Sequence, residues 1–88
     1  MNEIDKTICI SRSAVAKLYN LKKAIKFLNY WQKVYKKELR ENQEVANITI
    51  EYAQREVDKL KKEADIFCNR FSNYSFPNIV QLRILLYH

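Results

Sequence analysis

Apolar side chains recur along the first half of the chain at steps of four and three: Ala14, Leu18, Leu21, Ile25, Leu28, then Tyr35 and Leu39. Gln32 is the one polar member of the series. This is the stripe of an amphipathic helix whose apolar side meets a neighbour, with the spacing of a coiled-coil seam. It predicts a helix over about residues 12–41, roughly 45 Å long at 1.5 Å per residue. Ser11 or Ser13 can cap its start by accepting from the first free backbone amides.

A second series runs through Ala46, Ile50, Ala53, Val57, Leu60, Ala64, Phe67 and Phe71. Continued from Leu39, the first series would fall on Asn42, Ala46 and Thr49, whereas the second requires Ile50. Such a slip of phase marks a turn between two helices or an irregularity within one long helix. The polar run Glu41-Asn42-Gln43-Glu44 is the expected turn, and the second helix is expected over about residues 45–72. Two helices of similar length joined by a short link favour an antiparallel hairpin.

The ends carry weaker patterns. Ile4 to Ile10 is rich in Ile and Thr and predicts a short strand or an extended N-terminal arm over residues 1–11. Pro77 suits the first turn of a helix and Ser75 its cap, so residues 76–87 are expected to form a short C-terminal helix. The fold class is therefore all-α, a single domain built on a helical hairpin of two long helices.

Composition sharpens this picture. The chain has 88 residues, no glycine and one proline. Average usage of about 7% glycine would give roughly six. Without them, glycine-rich phosphate loops and dinucleotide fingerprints are excluded, and long helices meet few breakers. Cys9 and Cys68 match no metal or redox spacing and are expected to be reduced, semi-buried small hydrophobes. No secretory signal is recognised at the start and no apolar run has the length of a membrane span, which leads to an expected cytoplasmic location. On that expectation, the acceptor patterns Asn47-Ile48-Thr49 and Asn73-Tyr74-Ser75 are chance matches to the glycosylation motif.

Charge divides the two helices. Residues 12–40 hold nine Lys or Arg against one acid, a net of +8, and residues 41–65 hold four against seven, a net of −3. On the first helix Ala24, Phe27, Trp31 and Val34 join the seam into an apolar arc of about 160° at 100° per residue. One partner helix covers a narrow seam, but an arc this wide needs two neighbours. Lys22, Lys26, Lys33, Lys36, Lys37 and Arg40 lie on the other side, with Tyr19 and Tyr30 between them.

Ser11-Arg12-Ser13-Ala14-Val15-Ala16-Lys17-Leu18 resembles the opening of a recognition helix in a helix-turn-helix protein. That motif implies DNA binding and requires a supporting helix and turn before it. Only ten residues precede it here, and their pattern does not read as that helix.

Catalytic chemistry finds no support. The single histidine is His88 at the very end, so neither a Ser/His/Asp nor a Cys/His arrangement can be assembled without the terminus. No carboxylate cluster has metal-ligand spacing beside a histidine. No cofactor, no metal and no small-molecule substrate is expected. The expected function is a non-enzymatic protein–protein interaction or regulatory module. A homodimer or other protein partner would meet Phe27, Trp31 and Val34, together with Leu82, Leu85 and Leu86 of the C-terminal segment. The Lys-, Asn-, Ile- and Tyr-rich composition suits a mobile-element or phage-type inhibitor of a host machine. The alternative is nucleic-acid backbone binding by the six basic residues of the first helix, and an anionic membrane surface is a third, weaker fit.

Overall fold

A computed structural model describes residues 2–37 and 40–87, and the side chains of residues 40–42 lie outside that description. Three helices make up the described residues, with no strand among them: α1 (Glu3–Lys37), α2 (Arg40–Arg70) and α3 (Pro77–Leu86). At 1.5 Å per residue α1 is about 52 Å long, and α1 and α2 end to end would span about 100 Å. The longest dimension is 58 Å. The two helices therefore fold back on each other as an antiparallel hairpin. Phe27 and Tyr52 accordingly flank one groove, and Lys17 places its Nζ 5.4 Å from the Phe67 ring centre.

The N-terminal arm is corrected to helix. Residues 3–11, expected to be extended, are the first turns of α1. Asn2 caps them, its Oδ1 accepting from the backbone amide of Asp5 at 2.9 Å. Glu3 and Asp5 place negative charge in the first turn, where the free amides and helix dipole favour it. Ile10 is buried one turn before Ala14, so it extends the seam backwards rather than starting a strand. Because α1 runs unbroken from Glu3, no turn precedes Ser11, and the helix-turn-helix likeness has no structural counterpart.

The turn is also displaced. Gln43 and Glu44, expected within it, lie inside α2 together with the backbone of 41 and 42. α1 ends at Lys37 and α2 begins at Arg40, and residues 38–39 fall outside the described residues. Glu, Gln and Arg are good helix formers, so a polar run free of Gly and Pro can begin a helix as readily as end one. Gln43 Nε2 donates to the Tyr35 carbonyl at 3.3 Å, satisfying one acceptor freed at the C-terminal end of α1. The observed limits of α3 differ from those expected by one residue at each end.

The core is thicker at one end than at the other. Ile10, Ala14, Leu18 and Leu21 of α1 meet Ala64, Phe67 and Cys68 of α2, with Ile79 and Leu82 of α3 in the same cluster. Towards the interhelical tip Leu28 and Ala53 continue the core, with α3 no longer present. Alanines at Ala14, Ala46, Ala53 and Ala64 are all buried, which lets the helices approach closely.

Polar contacts hold α3 in place. The Arg83 guanidinium donates to the Phe71 carbonyl at 3.0 Å, just past the end of α2. The Tyr87 hydroxyl donates to Asp65 Oδ1. That hydrogen bond, with burial second, raises the Tyr87 pKa above its ordinary value of 10.0. Burial raises the Cys68 thiol above 9.0, Arg83 opposing and Asp65 adding to the shift. Both groups favour the folded state while protonated. Their contribution is complete below the unfolded values and disappears as pH rises through the folded ones. Stability should thus fall above about pH 9, and Tyr87→Phe should remove part of that fall in urea titrations at pH 8 and pH 11. An identical pH dependence in the variant would show that Tyr87 has no share in it.

Candidate interaction face

The wide arc of α1 is only partly covered. α2 takes its centre and α3 lies along one flank, where Asn78 Nδ2 comes 3.5 Å from Ser11 Oγ. The other flank carries Phe27, which is 47% exposed, with Trp31 and Val34 half-buried beside it. The rings form an edge-packed cluster: Trp31 is 6.2 Å from Phe27 and 5.9 Å from Tyr30, centre to centre. Edge-on contact is the favoured arrangement for such rings and fixes their positions without hiding them from solvent.

Across the hairpin, α2 adds Val45, Ile48 and Tyr52, all more than 60% exposed and spaced at three and four residues. Between the two stripes runs a groove of about 360 Å³, floored by Ala24, Ala53 and Leu60 and walled by Phe27 and Tyr52. Shallower hollows extend it past Asn20 and Leu60, then past Lys17 and Glu63 towards Phe71. Large exposed apolar surface arranged contiguously marks an interaction site, whereas scattered exposed residues do not. The sequence pattern singles out Phe27, Trp31 and Val34 on α1 and does not single out the exposed stripe on α2. The Val45, Ile48, Tyr52 stripe sits about 120° from the buried seam of its own helix at 100° per residue, a second period that a search for the core passes over.

The expected C-terminal residues fall elsewhere. Leu82 is fully buried, and Leu85 and Leu86 are partly buried against the core, so all three hold α3 to the hairpin. Of the six basic positions, Lys22, Lys26, Lys33, Lys36 and Lys37 are exposed on the outer side of α1, while the Arg40 side chain lies outside the described residues. His88 lies outside them too. Cys9 is exposed, against expectation, Cys68 is buried, and both are free. On α2, Asp58 Oδ1 accepts from Gln54 Nε2 at 2.9 Å.

Among the described residues no group of three or more His, Cys, Asp or Glu is placed to hold a metal ion. Among them, too, no helix is long and apolar enough to cross a membrane. Comparison with known proteins finds no matching family model, no matching curated protein and no matching solved structure.

Proposed function

We propose that this protein acts without catalysis, as a small interaction or regulatory module that binds protein through the side of the hairpin opposite α3. The observation that carries this reading is the uncovered flank of α1. Phe27, Trp31 and Val34 extend the same apolar arc that forms the core, yet α3 packs on the other flank. An aromatic cluster ringed by polar residues has the character of an interface hot spot. An inhibitor of a larger assembly works in this manner, by occupying a surface rather than by turning over a substrate.

The test is capture of partners by tagged full-length chain, with and without nuclease, comparing wild type with Trp31→Ala. Nuclease-resistant capture that the substitution reduces at least tenfold is the expected result, about 1.4 kcal/mol or more from one anchor. Capture indifferent to Trp31 would overturn the reading.

The row of exposed lysines favours a second reading, binding to a nucleic-acid backbone. Five phosphate contacts would give a logarithmic salt slope of roughly −4 to −5 on duplex DNA. Lys33→Gln with Lys36→Gln should then reduce that slope by about two. Failure of the micromolar protein to retain duplex or single strands at about 50 mM salt, where such contacts are strong, ends this alternative.

A further inference from the structure

We infer that the uncovered face takes a second copy of this chain, the two hairpins stacking face to face about a two-fold axis parallel to their length. This rests on the reading of that face as a protein interface and assigns its occupant. Charge supplies the first argument. Lys17 and Lys23 border the groove on the α1 side, and Glu56 and Glu63 on the α2 side. Among the described residues Lys23, Glu56 and Glu63 have no ion-pair partner.

Phe27, Tyr52, Lys23 and Glu56 line one hollow and Lys17 and Glu63 the next. Counted along antiparallel helices at equal rise, Phe27 falls beside Tyr52, Lys23 beside Glu56 and Lys17 less than half a turn from Glu63. A two-fold axis along the hairpin preserves height and places α1 of one copy on α2 of the other. Phe27 then meets the copy's Tyr52, Lys23 its Glu56 and Lys17 its Glu63. At the same rise Trp31 falls opposite Ile48 and Val34 opposite Val45. In each of these five pairings an apolar group meets an apolar one or a charge meets its opposite. Each helix also has antiparallel neighbours on both sides, the arrangement of a four-helix bundle.

Size agrees. From Ser13 to Val34 the face is about 33 Å long at 1.5 Å per residue, and the fold as a whole, α3 included, measures 20 Å along its second axis. Two such faces remove on the order of 1,300 Å² from water, within the range of about 1,200–2,000 Å² for specific stable interfaces.

Sedimentation equilibrium of the full chain from about 1 to 100 µM, a range that brackets modest affinities, should show twice the monomer mass. Lys23→Glu alone, and Glu56→Lys alone, should each weaken association about tenfold, because two symmetric attractions become repulsions. Mixing these two variants should restore it, since each then offers the charge the other lacks. Phe27→Asp with Tyr52→Asp should abolish it while circular dichroism stays helical, both side chains being substantially exposed. A chain monomeric throughout that range overturns the inference, as does a dimer that mixing fails to rescue. If the chain is monomeric but partner capture still depends on Trp31, the face binds another protein, and only the assignment of a second copy fails.

Discussion

Truncating Leu82 to alanine is expected to cost about 2–5 kcal/mol, the range for large aliphatic side chains removed from packed cores. Leu82 is fully buried where the three helices meet, beside Ile79, and no solvent can relieve the cavity left behind. The whole chain has roughly 4–13 kcal/mol to lose, at about 0.05–0.15 kcal/mol per residue. One truncation therefore removes a large share of the stability. Urea denaturation followed by circular dichroism should show a much lower midpoint. Ile8→Ala, at an exposed position of the same fold, should stay within about 0.5 kcal/mol of wild type. Equal effects at the two positions would mean that α3 is not docked as described.

The opposite substitution should also destabilise. Ala64 is 1% exposed and belongs to the buried cluster between the helices, where interiors are close-packed. Ala64→Leu adds three carbons to a filled space and should cost about 1–3 kcal/mol through displaced helices or off-rotamer packing. For a domain of this size each kcal/mol lowers the midpoint by about 4–8 °C. A drop of about 5–20 °C is accordingly expected in thermal unfolding. An unchanged or raised melting temperature would show the interhelical space to be underfilled. The two substitutions test the same core from opposite directions, one by emptying it and one by crowding it.

The hairpin was legible because Ala14–Leu18–Leu21–Ile25–Leu28 and Ala53–Val57–Leu60–Ala64–Phe67 each hold one helical period over several turns. The start of α1 was not, because Ile4, Thr7, Ile8 and Ile10 are β-branched and by propensity suit a strand. Tertiary burial of Ile10 and the Asn2 cap outweigh that propensity. The position of the break was hidden for a related reason. Residues near the tip face few neighbours, so no strong apolar period marks where one helix stops and the next starts. Leu82 was assigned to an interface because a short apolar run gives no indication of which of its members are enclosed. What no period encodes is the side on which α3 returns. Phe27, Trp31 and Val34 could be recognised as surplus to a two-helix seam, but only packing determines that α3 leaves them uncovered.

The unequal thickness of the fold has a dynamic consequence. Local opening needs only the contacts of the element that opens, and regions with fewer buried neighbours open at lower free energy. Ala14, Leu18 and Leu21 are enclosed by three helices, whereas the turns around Trp31 and Val34 lean on α2 alone. Amide protons of α1 should thus exchange along a gradient, most slowly near its middle and fastest towards Lys37. The aromatic face lies at the fast end. A macromolecule gripping that face would have to still a breathing helix pair, and part of its binding free energy would be spent on ordering. It would register as slowed exchange in the turns of α1 and α2 that flank the residues it touches.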